Sequence, residues 1–452
     1  MITMPLKKLA SILHAELMSA EDQVFEGISI DTRTLSPGNL FIAIRGEQFD
    51  GHTFAEKAVQ MGAVAVLVEK PLKASFPQII VKDTYEALGK IGSTWRAQFN
   101  FPFVGITGSN GKTTLKNMMA AILEEAAKPH QILATKGNFN NHIGLPLTLC
   151  QLSEDQRFAV IEMGMNHLGE ISYLTQLTKP NVAIITNAAE AHLEGVKDLK
   201  GVAIAKGEIF QGLSADGTAI LNRDDNFYDY WNSLVEQKNK LTFGFLPEAD
   251  VRAQVESTHQ VTILTPRGDF NIKLQLLGKH NVMNAMAATA TSLALKIDFA
   301  TIQKGLAKVL PEPGRMQPYF LTNGSLVIND TYNANPVSLL AAIDTLATYK
   351  GTRILVLGDM RELGPHALEY HHDMGKKIRE AGIDYLYTTG ELTLATTDAF
   401  GKNAKHFKDK NELIATLSSL LQKDVVMLVK GSRSMKMETI IAAMVPEYQS
   451  DH

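Results

Sequence analysis

Apolar and polar positions along this chain fall into three successive rhythms. Up to about residue 82, short apolar runs (FEGISIDTRTL, NLFIAIRG, AVAVLVEK, PQIIVK) alternate with one helix-patterned stretch, HTFAEKAVQMGA. Turns at Pro37-Gly38 and Arg45-Gly46 complete what reads as a small α/β module. The opening MITMPLKKLASILHAEL has the spacing of an amphipathic helix with charges inside it, unlike a secretion signal. YEALGKIGSTWRAQF is helix-patterned too and leads to Pro102, where a second rhythm begins. There FVGIT, FAVIEMG, VAIITN and TAILN each end at Gly, Asn or Thr and give way to helical patterns such as TTLKNMMAAILEEAA and LKGVAIAKGEIFQGL. Apolar strands alternating with helices predict a parallel sheet covered on both faces. VRAQVESTHQVTILTPRGDFNIKLQL alternates with period two, as an antiparallel hairpin or small sheet at the edge of that block would. From about residue 313, beyond the linker-like PEPGRM, the α/β pattern returns in SLVIND, TRILVLGD, IDYLYTTG and VVMLVKGS. The expected domains are 1–82, 83–312 and 313–452, with hinges near 83–102 and 311–316.

Composition narrows this picture. A length of 452 residues suggests about three domains at roughly 150 residues each. The formal net charge of −4 provides no field to hold nucleic acid or an anionic membrane non-specifically. One cysteine, Cys150, excludes an internal disulfide framework and a cysteine-based zinc cluster. No apolar run reaches the roughly 18–20 residues that span a bilayer. The expectation is a soluble protein of a reduced compartment.

The strongest local signal is FVGITGSNGKTTLKNMM. A strand, a tight turn and a helix follow one another, so backbone N–H groups and the positive helix end point at one spot, which suits a polyphosphate. Thr107, Gly108, Ser109, Asn110 and Gly111 would form the loop. Lys112 would reach the outer phosphates, and Thr113 or Thr114 would offer a hydroxyl to Mg²⁺. The strict G-x-x-x-x-G-K-[ST] pattern needs glycine where Ile106 stands, so this is a variant.

Ligands of open parallel sheets gather beyond the carboxyl ends of the strands. Glu162 ends one strand candidate; Asn187 ends another, and His192 follows it. Singly, Glu162 reads equally as a turn cap and His192 as a surface residue; their convergence beside Lys112 favours a cation site. Lys206 stands among Ala203, Ile204, Ile209 and Phe210. It is either a lysine snorkelling from a surface helix or one whose charge is altered or paired.

In order, TGSNGKTT, GNFNNHIGLP, IEMGMNHLGEI, TNAAEAHLEG, AKGEIF and GKHNVMNAMAA resemble the motif string of the Mur ligases, ATP-dependent amide ligases of peptidoglycan precursor synthesis. The likeness covers essentially the whole chain. It implies an α/β fold of three domains: a small module for a UDP-linked substrate, a central doubly wound P-loop ATPase domain with a mostly parallel sheet, and a C-terminal Rossmann-like domain. DTRTLSPGNLFIAIRGEQFDGH, INDTYNANPVSLLAAI, VLGDMRELG and VKGSRSMKME point to the member that joins D-alanyl-D-alanine to a UDP-N-acetylmuramoyl-tripeptide. The alternatives are the ligase of the preceding step and a folylpolyglutamate synthetase-like enzyme. The former shows D-Y-A-H-T-P where this chain has Tyr332-Asn333-Ala334-Asn335-Pro336.

Carried over by position, the resemblance makes Lys112, Lys206, His192 and Arg315 catalytic. Thr113, Glu162, His192 and Lys206 would hold two Mg²⁺, with Lys206 as a carbamate formed from CO₂. His280, Asn281, Asn284, Arg315 and Asp330 join the phosphate loop around ATP. Substrates would meet Asp31, Thr32, Arg33, Gly46 and Asp50 in the first block and Asn138, Asn140 and Asn141 in the second. In the third, they would meet Tyr332, Asn333, Asn335, Ser432 and Arg433. The family further implies a bacterial, cytoplasmic monomer, with no nucleic acid and no membrane insertion.

Overall fold

A computed structural model describes residues 1–19, 21–46, 49–190, 193–257 and 260–448, the side chain of Glu194 aside. Its centre is a six-stranded, wholly parallel sheet. The strand order is Asn239–Phe243, Thr218–Asn222, Val182–Ile185, Phe103–Thr107, Phe158–Glu162 and Ile132–Ala134. Its inner strands Val182–Ile185, Phe103–Thr107 and Phe158–Glu162 are almost wholly apolar because both faces are covered. Val104, Ile106, Val160, Val182 and Ile184 pack with the helices Lys112–Ala126 and Lys279–Ala294. The alternate residues Phe103, Ala159, Ile161, Ala183 and Ile185 pack with Gly144–Leu149, Glu170–Thr178 and Leu199–Gly207. From Phe103–Thr107 the chain goes first to one side of the sheet and then to the other. The crevice at that reversal lies directly beyond Thr107.

A second six-stranded sheet has the order Gln317–Phe320, Leu326–Asp330, Val425–Lys430, Thr352–Gly358, Tyr385–Thr389 and Ala404–Phe407. It is parallel except for its first, antiparallel edge strand. The first block forms a five-stranded sheet, Glu16–Met18, Gln78–Ile80, Ala65–Val68, Leu40–Ile42 and Ile28–Ser29, beside a two-stranded pair. The period-two stretch is a three-stranded antiparallel sheet, Arg252–Val255, Gln260–Leu264 and Phe270–Lys273. Its Val261, Ile263, Phe270 and Ile272 enter the central core.

One expectation changes. The opening segment is not one helix: Thr3–Pro5 pairs as a strand with Val24–Glu26, the helix covers only Leu6–Leu13, and Glu16–Met18 is again a strand. Pairing of the first residues satisfies backbone groups that a longer helix would have satisfied internally. The segment between the first two blocks is, as its pattern predicts, mostly the helix Thr84–Arg96, capped by Asp83 and packed through Ala87, Leu88 and Ile91 into the first block's core. Arg96 then ties the helix to the central portion. Its guanidinium donates to Phe99 O (2.7 Å) and Lys179 O (3.1 Å) and lies 3.6 Å from the Phe103 ring centroid. Burial lowers its pKa to about 10.

Trp231, fully buried, donates its indole N–H to Ala203 O at 2.9 Å and so pins the helix that carries Lys206. Trp231→Ala should cost about 3–5 kcal/mol of stability, as large-to-small core changes do; denaturant unfolding of the variant checks this, and a loss below about 1 kcal/mol counts against that anchoring role.

His371 is a second anchor. Its Nε2 accepts the Met360 N–H (3.0 Å) while Nδ1 bonds Ala367 O (2.7 Å), an arrangement open only to the neutral ring. Burial pushes its pKa below the ordinary histidine value; the Ala367 bond and Asp359 oppose the shift, and Arg361 adds to it. The unfolded chain therefore takes up a proton that the folded one resists. The stability His371 contributes is present above pH about 6.5 and lost as pH falls through the lowered folded value. Hydrogen exchange at Met360, corrected for intrinsic rate, should accelerate between pH 7 and 5 and lose that dependence in His371→Gln; a flat profile in the native protein would overturn the assignment.

Candidate active site

The strand Phe103–Thr107 delivers the chain into a loop that only glycine permits at two places. Gly111 has φ +81°, and a Cβ there would stand 2.6 Å from Asn284 Oδ1. At Gly108, φ is +149° and a Cβ would fall 1.7 Å from Thr186 Oγ1. The loop is held from the neighbouring strand end. Ser109 N–H donates to Asn187 O (2.9 Å), Asn110 N–H to Asn187 Oδ1 (3.0 Å), and Thr186 Oγ1 to Asn110 O (2.6 Å). Ser109 Oγ exchanges hydrogen bonds with the backbone of Ala189. Lys112 opens the helix Lys112–Ala126, and its Nζ folds over the loop to donate to Gly108 O at 2.7 Å. A strand, a glycine-permitted turn and a helix N-terminus with its lysine folded over the loop form the kind of concavity that suits a phosphate.

The loop opens into a cleft of about 1810 Å³ lined by Ser109 to Thr114, Glu162, Lys206, Arg315 and residues of the C-terminal sheet. Glu162, 2% exposed, is the hub of one wall: Thr113 Oγ1 donates to its Oε2 (3.0 Å) and Asn140 Nδ2 to its Oε1 (2.8 Å). Arg315 in turn donates from Nη2 to Thr113 Oγ1 at 3.2 Å. Lys206 is 1% exposed. Burial drives its pKa well below the ordinary lysine value and the positive charge of Lys112 pushes the same way. Lys112 is lowered too, by burial first; Glu162 opposes the shift and Arg315 adds to it.

From the other side, Arg315 stacks on Tyr332, 3.9 Å from ring centroid to guanidinium carbon. Asp330 accepts from Lys430 Nζ (2.6 Å) and from Met316 N–H (3.1 Å). His280 heads the helix Lys279–Ala294 and lines the cleft; its Nδ1 is buried without a partner among the described residues. Burial lowers its pKa, against the pull of Asp330. Asn281 and Asn284 follow it into the cleft, Asn284 against Gly111. Asn138 and Asn141 line the opposite rim, Asn141 Oδ1 accepting from Gly144 N–H at 2.8 Å.

Several expected residues do not line this cleft. Thr107 is wholly buried and its hydroxyl donates to Met163 O, so with Gly108 it braces the loop from below instead of lining the cleft. Ser432 is 4% exposed and its hydroxyl accepts from Arg361 N–H; Arg433 pairs with Glu438. Ser432 sits behind the cleft wall, whereas the Arg433 guanidinium carbon lies 6.0 Å from the ring centroid of Tyr332, which lines the cleft. Asp31, Thr32, Arg33, Gly46 and Asp50 are apart from the cleft, beyond the carboxyl ends of Ile28–Ser29 and Leu40–Ile42. There Asp31 pairs with Arg33 and Asp50 with Arg45 and His52. His192 lies outside the described residues. The sequence reading passed over Lys116, whose buried Nζ donates to Thr135 O, and Lys430, whose place at the end of an apolar strand gave the same signal as Lys206.

Comparison with known proteins places this geometry. Residues 24–96 match the model described as Mur ligase family, catalytic domain; 106–292 the Mur ligase middle domain; and 314–433 the Mur ligase, glutamate ligase domain. The UDP-N-acetylmuramoyl-tripeptide–D-alanyl-D-alanine ligases of Haemophilus influenzae and Escherichia coli are each 42% identical, over 98% of this chain and 99% of theirs. A MurF crystal structure from Acinetobacter baumannii superposes with a TM-score of 0.93 at 33% identity, covering 98% of this chain and 99% of that one. A MurF ligase from Thermotoga maritima in complex with ADP gives 0.83 at 25% identity, covering 93% and 97%. A strand-anchored phosphate loop, a buried lysine facing it and full-length relatives at this identity lead to one conclusion: the chain belongs to the Mur ligase family.

Proposed function

We propose that this protein is an ATP-dependent ligase that joins D-alanyl-D-alanine to UDP-N-acetylmuramoyl-tripeptide, releasing ADP and phosphate, in peptidoglycan precursor synthesis. The observation that carries the reading is a phosphate cradle and a substrate-side loop meeting on one carboxylate, Glu162, in a chain collinear with ligases of that name. Residues 1–82 would bind the uridine-diphosphate end, 83–312 ATP, and 313–452 would close over the nucleotide. We infer a monomer, since one chain builds the whole cleft, and a cytoplasmic bacterial site of action, which suits a single, buried cysteine.

An amide forms in water only if the carboxylate first gains a leaving group. In this reading the tripeptide's terminal carboxylate attacks the γ-phosphorus of ATP, ADP departs and an acyl phosphate forms. The dipeptide amine then attacks its carbonyl carbon, and phosphate leaves as the amine proton is lost. Negative charge gathers on oxygen in both steps. Lys112 and Arg315, held beforehand on Gly108 O and Thr113 Oγ1, would meet that charge, and such preorganisation is usually the largest catalytic contribution. His280, Asn281, Asn284 and Asp330 border the same nucleotide site, and Tyr332 with Asn333 forms its outer wall.

Thr113, Glu162, His192 and Lys206 would hold two Mg²⁺, which when bound supply countercharge to the phosphates. The described residues of this set fit: Thr113 and Glu162 are already joined, and Lys206 is a buried lysine on which the positive charge of Lys112 acts. Burial and Lys112 favour its neutral amine. That amine adds to CO₂ with loss of a proton, giving a carbamate anion that suits the surrounding positive charge.

Phosphate release from ATP with UDP-tripeptide should rise selectively with D-alanyl-D-alanine. Stimulation by glutamate or by a free diamino acid would assign the chain to another reaction. Lys112→Ala should cost about 10²–10³ in turnover, and a variant keeping more than a tenth of the native rate removes Lys112 from the chemistry. For Lys206, ¹³C-bicarbonate should give a carbamate resonance that Lys206→Ala lacks; identical spectra would rule the carbamate out.

A further inference from the structure

The tip of the phosphate loop makes a contact that nucleotide binding does not require. The backbone of Asn110 is wholly committed to the central sheet: its N–H donates to Asn187 Oδ1, and its carbonyl accepts from Thr186 Oγ1 and Asn187 Nδ2. Its side chain instead crosses the cleft. Asn110 Oδ1 accepts from Asn335 Nδ2 at 2.9 Å, and Asn110 Nδ2 donates to Asn335 Oδ1 at 3.5 Å. The partners are 225 residues apart, on different sheets' loops.

Asn335 is itself immobilised. It caps the helix Pro336–Ala347, its Oδ1 accepting from Ser338 N–H (2.8 Å) while its own N–H donates to Ser338 Oγ (3.0 Å). The turn leading to it is held by Lys430 on Asn333 O (2.9 Å) and by Ser432 on Ala334 O (3.4 Å). This gives Ser432 a role behind the cleft wall. The side chains chosen suit the place. An amide both gives and accepts a hydrogen bond and carries no charge, so a pair can close beside a triphosphate. A carboxylate at either position would lose a donor and repel the nucleotide, and serine would be too short to span the gap.

We infer that Asn110 and Asn335 are a positioning pair: the docked C-terminal portion holds the loop tip, and with it the phosphate cradle, in the geometry used for transfer. This rests on the ligase reading above and adds to it a named contact through which docking reaches the loop. Neither residue needs to touch the reacting atoms for this.

The test uses the full-length protein with ATP, UDP-tripeptide and D-alanyl-D-alanine, and the variants Asn110→Ala, Asn335→Ser and the double variant. Serine keeps an N-cap while removing the reach across the cleft. Each single variant should lose about tenfold in kcat, the worth of a hydrogen-bonded pair, with KM for ATP within about twofold of native. The double variant should be no slower than the slower single one, since the same contact is removed once. Melting temperatures separate this from simple destabilisation: they should stay near native in Asn110→Ala. Full kcat in Asn110→Ala, or losses that multiply in the double variant, would overturn the pairing while leaving the ligase reading intact. A native protein that releases no phosphate with these substrates removes both.

Discussion

Positive charge withdrawn from water around one point is the constraint on which the rest of the structure turns. Lys112 and Lys206 are both desolvated there, the field of Lys112 weakens the charge on Lys206, and Arg315 adds its own field to Lys112. The helix beginning at Lys112 directs its positive end at the same spot. Glu162 offsets part of this, but it is already shared between Thr113 and Asn140. Holding the like charges of Lys112 and Arg315 beside that helix end is costly in a low-dielectric cleft and becomes favourable when a polyanion enters. In the proposed reading a triphosphate bound there would offset the field of Arg315 and so favour docking of the C-terminal portion that carries Tyr332. Nucleotide binding and docking become two expressions of one charge balance.

The same balance explains why the site is assembled from two sheets. The central sheet offers Glu162 and the Thr186-Asn187 end that grips the loop; the C-terminal sheet offers Asp330 and Lys430. All lie at or beyond strand carboxyl ends, where side chains can converge without disturbing the ladder. A chain of contacts then runs across the cleft from Asn140 through Glu162 and Thr113 to Arg315 and Tyr332. The substrate-side loop and the C-terminal wall thus share one hydrogen-bonded line, and displacement at either end is felt at Thr113, the first hydroxyl of the phosphate-loop helix.

Much of this was legible in the residues because burial on two faces leaves a plain trace. Phe103 to Thr107, Phe158 to Glu162 and Val425 to Lys430 are apolar without alternation, and each is a central strand. Edge strands leave no such trace. Gln317–Phe320 and Ala404–Phe407 mix polar and apolar residues, since one side of each is open, and nothing in their composition marked them. Lys206 could be found because a lysine among apolar residues is conspicuous. Lys430 gave the same signal, but its meaning depends on Asp330, a hundred positions away, and on how two strands pair. Thr107 and Ser432 carried the right atoms for a ligand and spend them on Met163 O and on the Arg361 and Ala334 backbone. Local pattern tells which residues are able to bind; it does not say which have already been used.

The chemistry also explains why docking has to be coupled to the phosphate loop at all. An acyl phosphate is open to hydrolysis as well as to aminolysis, and water is far more abundant than the amine. Exclusion of water protects the intermediate until the amine attacks. An open phosphate cradle that transferred its phosphoryl group would waste it. A loop whose tip is tied to Asn335, and whose first hydroxyl is tied to Arg315, reaches its transfer geometry together with the wall that shuts water out. The two bonds lie on either side of Lys112, at positions 110 and 113, so the lysine that meets the developing charge is bracketed by contacts to the closing portion. In that arrangement the group proposed to stabilise the transferred phosphoryl charge is also the one most directly tied to docking of the C-terminal portion.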